Sequence, residues 1–160
     1  MLEIKEYSNE NTDEIFDMIL DIQVNEFDIS IDRESQPDLQ SIKDFYQTGN
    51  GNFWIAEDRS EIVGTVALKD IGDNYTALRK MFVKKEYRGK GKNISRLLLE
   101  SVFHWGREKK IEKIFLGTTD KFLAAHRFYE KNGFVEIKQN QLPESFPVMK
   151  VDTKFYVYEF

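Results

Sequence analysis

Between residues 75 and 105 the apolar pattern changes its period, and this change constrains the fold more than any other feature of the sequence. Tyr75 to Val83 reads as a strand. It continues a meander begun by Phe53 to Glu57 and Ile62 to Leu68, which are joined across Asp58-Arg59-Ser60-Glu61. From Gly91 onward Ile94, Leu97, Leu98, Val102 and Trp105 fall on one stripe at helical spacing. The join between the two patterns, Tyr87-Arg88-Gly89-Lys90-Gly91-Lys92-Asn93, is glycine-rich. Strand, glycine turn and helix in that order leave the N–H groups of the first helical turn free to face an anion. Glycine lets the backbone close on an oxygen with no side chain in the way. Taken alone, the same pattern also serves as a tight connection with no ligand.

The remaining elements follow from the same periodicities. Leu2 to Tyr7 predicts a first strand, and the cap candidates Asn11 and Thr12 precede Ile15, Met18, Ile19 and Ile22, an amphipathic helix. Pro37 at a first helical position, followed by Leu39, Ile42 and Phe45 or Tyr46, predicts a second helix ended by Gly49-Asn50-Gly51. Ile114 to Leu116 reads as a short buried strand, Leu123 to Lys131 as a helix stopped by Asn132-Gly133, and Phe134 to Ile137 as a strand. Lys154 to Phe160 carries aromatics on both faces and therefore belongs inside a sheet. A meander leading into a strand-helix-strand unit predicts an α/β (α+β) fold, a mixed, mostly antiparallel sheet with helices on both faces. At 160 residues, one domain spanning 1–160 is expected.

Composition narrows the chemistry. With no cysteine and two histidines, the chain offers no disulfide, thiolate ligand, Cys nucleophile or His-rich metal site, so no metal is expected. No apolar run approaches the roughly 20 residues of a membrane-spanning helix, and the N-terminus does not read as a signal peptide. A cytoplasmic protein with no membrane partner is the expectation. The net charge of -5 hides an asymmetry: residues 1–50 hold 13 Asp/Glu against 3 Lys/Arg, whereas residues 79–113 hold 12 Lys/Arg against 4 Asp/Glu. A basic block suits nucleic acid, a phosphorylated small molecule or a solvated helix face. Here its cations interleave with the apolar stripe of a helix and no stacking aromatics are presented, which disfavours nucleic acid. The turn lacks the Gly-Lys-Ser/Thr ending of a P-loop, and no Gly-x-Gly-x-x-Gly follows a first strand, so ATP and NAD are disfavoured too.

Two segments carry a resemblance. Arg88-x-x-Gly91-x-Asn93 resembles the Gln/Arg-x-x-Gly-x-Gly/Ala signature of GCN5-related N-acetyltransferases (GNAT), and Ala125-His126-Arg127-Phe128-Tyr129-Glu130-Lys131-Asn132-Gly133-Phe134 looks like that family's Ala-x-x-Phe-Tyr-x-x-x-Gly-Phe hallmark. Their separation and the element order match over the whole chain. The sequence departs from the pattern in three places: Asn93 or Ser95 takes the last Gly/Ala place, Phe122 stands where an Asn often precedes the second motif, and the strand Tyr75-Thr76-Ala77-Leu78-Arg79 has no carboxylate to act as base.

The resemblance implies an acetyl-CoA-dependent transfer to the amine of a small molecule or peptide, by direct attack on the thioester. It places the pyrophosphate of acetyl-CoA on the turn, at Arg88, Gly89, Lys90, Gly91, Lys92, Asn93 and Ile94. The pantetheine would lie along Met81, Phe82 and Val83, splayed from Ile114 to Thr118. Tyr129 is the implied general acid to the leaving thiolate; its bland alternative is a core aromatic at a helix end. Arg96 is a further candidate for the phosphates, while His104 and His126 read as structural or exposed. Glu26 and Asp28, between the first two helices, are candidates for a cationic acceptor or ordinary surface charge. The loop Pro143-Glu144-Ser145-Phe146-Pro147 reads as a wall of the pocket or as a homodimer contact. A CoA-binding regulatory domain without turnover is the alternative that the missing strand carboxylate leaves open.

Overall fold

The computed structural model describes residues 1–9, 12–89 and 91–160. Its strands are β1 (Leu2–Glu6), β2 (Asn52–Asp58), β3 (Glu61–Gly72), β4 (Tyr75–Val83), β5 (Lys113–Thr118), β6 (Val135–Ile137) and β7 (Lys154–Glu159). They form one seven-stranded sheet in the order β1-β2-β3-β4-β5-β7-β6. Pairing is antiparallel except between β4 and β5, which run parallel. The helices are α1 (Thr12–Leu20), α2 (Ile42–Tyr46), α3 (Ile94–Glu108) and α4 (Leu123–Lys131). The mixed, mostly antiparallel sheet expected from the sequence is present, and β7 lies inside it between β5 and β6.

Apolar stripes decide which face each helix covers. Ile94, Leu98, Leu99 and Val102 of α3 are buried against Trp54, Val66 and Leu78 of the sheet, each side chain contributing roughly 1.5–3 kcal/mol. The helix seats closely because Gly64 leaves room: a Cβ there would lie 3.1 Å from the Phe82 carbonyl oxygen and 3.2 Å from Leu98 Cδ1. On the opposite face α1 and α2 bury Ile15, Ile19, Ile42 and Tyr46 over Phe53, Ile55 and Ala67. Farther along that face the cover is the chain between β6 and β7, where Phe146 packs with Ala77, Phe115 and Phe155.

Several elements differ from their sequence patterns. Beyond Leu20, α1 widens into a π-helical turn, Asp21–Glu26, which turns Ile22 and Gln23 inward together. The second helix is two pieces, a 3-10 turn at Pro37–Gln40 and then α2, separated at Ser41, whose φ of -139° is not helical. Of the two cap candidates, Asn11 lies outside the described residues, and Thr12 is the first residue of α1 with its hydroxyl 2.6 Å from the Tyr7 hydroxyl. Strand β3 runs on to Gly72, past Leu68, because β4 pairs with Lys69 and Asp70 through Ala77 and Thr76.

Candidate active site

The parallel pairing of β4 with β5 lasts for three residues, Tyr75 to Ala77 against Lys113 to Phe115. Beyond it a cavity of about 530 Å³ opens, walled by Leu78–Val83 of β4 and Leu116–Thr118 of β5. Ile22, Gln23 and Phe27 close one side, Ala125, Phe128 and Tyr129 of α4 another, and Phe146, Met149 and Asp152 a third. The expected splay is thus present, beginning after Ala77 and Phe115.

Strand β4 is bulged where it borders the cavity. Ala67 faces Arg79 and Thr65 faces Phe82, so β4 spends one more residue than β3 over this interval. Lys80 absorbs the difference with a φ of +56°, and the Thr65 hydroxyl donates to its carbonyl at 2.7 Å. A left-handed backbone at a non-glycine residue costs on the order of 1–3 kcal/mol, and such strain concentrates at functional sites.

The bulge turns a set of charges into the interior. Lys80 Nζ donates to Gln36 Oε1 at 2.5 Å and lies 3.6 Å from Asp38 Oδ2. The Tyr46 hydroxyl donates to that same carboxylate oxygen at 2.5 Å, and Arg79 Nη2 approaches it to 4.0 Å. Gln23 and Gln36 join by their amides. Burial pulls Lys80 down to about 8, opposed by Asp38, and burial pushes the Tyr46 phenol well above its usual range. Asp152 supplies a second carboxylate. Its Oδ2 accepts the Met149 N–H at 2.8 Å, and burial raises its affinity for a proton against the pull of that N–H and of Arg79. The carboxylate lies against bare backbone, since a Cβ on Gly117 would come within 2.6 Å of Oδ2.

Tyr129 lies at the cavity wall, 6% exposed, with its ring 5.5 Å from Phe134 and 6.1 Å from Tyr156. Burial holds its phenol far above the usual tyrosine range. Among the described residues the hydroxyl has no hydrogen-bond partner, yet it is not one of the sealed polar atoms, which are Asn52 Nδ2 and Thr76 Oγ1. It is therefore a protonated donor reached from the cavity.

The turn ahead of α3 adopts the backbone its glycines allow. Gly89, Gly91 and Asn93 have φ of +106°, +88° and +56°. A Cβ on Gly89 or Gly91 would meet nothing within 4 Å, so conformation and not space calls for glycine there. Asn93 is the residue preceding the helix, with no side-chain cap bond, while Ser95 sits in the first turn and lines the cavity.

Met81, Phe82, Val83 and Arg88 line the cavity as well. Ile94 is buried in the core, so its backbone alone can face a ligand, and Lys90 lies outside the described residues. Lys92 Nζ sits 5.2 Å over the Tyr87 ring. Arg88 bends back: Nε donates to the Val83 carbonyl at 2.8 Å and the guanidinium grips Glu26, with Nη2 2.8 Å from Oε1. Glu26 is taken up in that pair, and Asp28 is exposed, offering its carbonyl to Lys121 at 2.9 Å. Neither carboxylate lines the cavity; Asp38 stands just behind it and Asp152 lines it.

Elsewhere the basic block is dispersed, Lys84 pairing with Glu61, Arg96 with Glu100 and Lys113 with Glu159. His126 is buried with Nε2 3.0 Å from the Thr119 carbonyl. His104 is exposed, with Glu108 one helical turn on at 3.3 Å. Phe146 and Pro147 line the cavity, so their loop shapes it. Among the described residues no helix is long and apolar enough to cross a membrane.

Comparison with known proteins gives this geometry a family. The sequence matches the acetyltransferase (GNAT) family over residues 16–134. The chain belongs to that family. A GNAT-family acetyltransferase from Staphylococcus aureus Mu50 has the same fold, with a TM-score of 0.95 and 44% identity over 99% of both chains. An acetyltransferase from Bacillus anthracis in complex with acetyl coenzyme A is 25% identical, with a TM-score of 0.58 over 74% of this chain and 67% of that one. Among curated proteins, N-acetylaspartate synthetase from Xenopus tropicalis is 36% identical over 102 residues, 62% of this chain. The chain spans 37% of the length of that relative.

Proposed function

We propose that the protein transfers an acetyl group from acetyl-CoA to a primary amine of a small molecule or peptide, by direct attack of the amine. The observation that carries this reading is the gap between β4 and β5, with a positive-φ turn and a helix start beside it and at its wall a phenol that has no partner among the described residues. Such a gap suits a long, thin co-substrate. Met81, Phe82 and Val83 offer strand edge to its pantetheine arm, and the backbone of Gly89, Gly91, Asn93 and Ile94 offers donors to its phosphates, the Lys92 N–H being donated to the Gly89 carbonyl at 3.4 Å. Arg88, tied to Glu26, fixes the turn to the end of α1's π-helical extension. Acetyl-CoA supplies an activated acyl group, and the chain needs no covalent nucleophile.

Each chemical task then has a candidate group. Asp152, with its raised proton affinity, accepts the proton that the attacking amine must lose, a task for which β4 itself has no carboxylate. Backbone N–H groups of the bulged β4 near Phe82 face the carbonyl oxygen as charge develops there. Tyr129 keeps its proton at any working pH and gives a hydrogen bond, then the proton, to the departing sulfur. Asp152 weighs against the reading of a CoA-binding domain without turnover, and the ion pairs that take up Lys84, Arg96 and Lys113 weigh against nucleic acid. A cytoplasmic setting goes with this reading, the cysteine-free chain having nothing to gain from an oxidising compartment.

Melting the protein with acetyl-CoA, CoA or duplex DNA tests the assignment. Stabilisation by both thioester and free thiol, and none by DNA, is expected; a melting temperature indifferent to acetyl-CoA at millimolar concentration contradicts it.

A further inference from the structure

Arg79 is the least satisfied charge in the cavity. Its side chain is 13% exposed, laid over the rings of Phe45 and Tyr46 with the guanidinium carbon 5.6 and 5.9 Å from their centroids. Of its five N–H donors, among the described residues, one reaches a partner, and that partner is the thioether Met149 Sδ at 3.6 Å. The nearest carboxylate oxygen, Asp38 Oδ2, is 4.0 Å away and already receives the Tyr46 hydroxyl, with Lys80 Nζ at 3.6 Å. No guanidinium nitrogen is among the sealed polar atoms, so the unused donors open onto the cavity.

A guanidinium only 13% exposed, with donors left unused, keeps little of its hydration; an anion of matching shape makes up the loss, and a carboxylate matches it through two parallel hydrogen bonds. Resting on the acetyl-transfer reading above, we infer that the acceptor is an amino-carboxylate whose carboxylate docks on Arg79 while its amine faces Asp152. Arg79 stands one residue ahead of the bulge, and the Asp152 carboxylate packs on Gly117 of the strand across the gap, so the two opposite charges flank the place where β4 and β5 part. A zwitterion meets both charges. A simple alkylamine leaves Arg79 as it is.

The test compares each common amino acid with the amine that remains when its α-carboxyl is removed, by calorimetry on the protein loaded with coenzyme A. At least one amino acid is expected to bind on the order of 10- to 100-fold more tightly than its amine, the range of a charged hydrogen bond. Arg79→Met should collapse that ratio toward one, and Arg79→Lys, which keeps the charge but loses the fork, should leave part of it. Equal affinities throughout the pairs, or a gap that survives in Arg79→Met of wild-type melting temperature, overturns the inference; should that variant unfold, Arg79→Lys with an undiminished gap does so. Thiol release is measured on the same pairs with acetyl-CoA. Carboxylate-dependent binding with no release from any pair defeats the acetyl-transfer reading and leaves the Arg79 site standing. Release without carboxylate preference defeats this inference alone.

Discussion

Replacing Tyr129 by phenylalanine separates the two roles the ring could have, because they predict opposite signs. The hydroxyl is buried with no hydrogen-bond partner among the described residues, an arrangement that costs a folded protein about 1–3 kcal/mol when water does not reach the group. The cavity gives it some access, so removing it should change stability by less than about 1 kcal/mol, in the stabilising direction. For a chain of 160 residues this is a rise of about 2–4 °C at most in melting temperature. Ring packing against Phe134 and Tyr156 survives the change. Turnover, by contrast, loses its proton donor. General acid catalysis is worth about 10² to 10⁴-fold, and water reaching the cavity in place of the phenol puts the loss near 10², about 2.7 kcal/mol of barrier. Thiol release at saturating amine and the melting temperature, read on one preparation, decide. A variant that melts several degrees lower and turns over normally per folded molecule would make Tyr129 a packing residue and refute the reasoning.

Three further outcomes are expected. Gly91→Glu places an anion beside the turn at a backbone with φ +88°, and calorimetry should show acetyl-CoA affinity falling well below that of Gly91→Ala, which carries the same strain without the charge; equal affinities would remove the turn from the cofactor site. Gly117→Ala puts a methyl 2.6 Å from Asp152 Oδ2, so kcat should fall while acetyl-CoA binding holds, and an unchanged kcat would show that Asp152 is not needed where it stands. Lys80 holds its proton less tightly in the fold, at about 8 against 10.5, so between those values the unfolded chain carries a proton the folded chain has released. The stability of wild type relative to Lys80→Met should therefore be level below pH 8 and rise by up to about 3 kcal/mol toward pH 10.5, measured by denaturant unfolding; a level difference throughout would deny the buried ammonium its cost.

What could be read from the sequence was what neighbours along the chain decide. The period change at Gly91, the stripes of α3 and α4, and the aromatics on both faces of β7 each express burial within one element, and those elements appear where the pattern put them. Two-strand contacts were harder. At the β4 bulge Thr65 of β3 donates its hydroxyl to the Lys80 carbonyl, a pairing that no window around Lys80 contains. The hydrogen-bond partners of Lys80 and Arg79 come from positions 44 and 70 residues distant, Gln36 and Met149, and Asp152 reaches the cavity on a loop whose sequence names no site. Arg88 and Glu26, expected to serve two different ligands, lie 62 residues apart and hold each other. The π-helical turn at Asp21–Glu26 shares its apolar spacing with an α-helix and is invisible to periodicity.

The most direct measurement of the central claim is a mass spectrum of the acceptor after incubation with acetyl-CoA, taken alongside the thiol released. One acetyl group on the acceptor amine for each thiol freed, with both lost together in Gly91→Glu, is the result this structure predicts. Thiol release with no acetylated acceptor would mean simple thioester hydrolysis, and would contradict the assignment of the β4–β5 gap to transfer between two bound substrates.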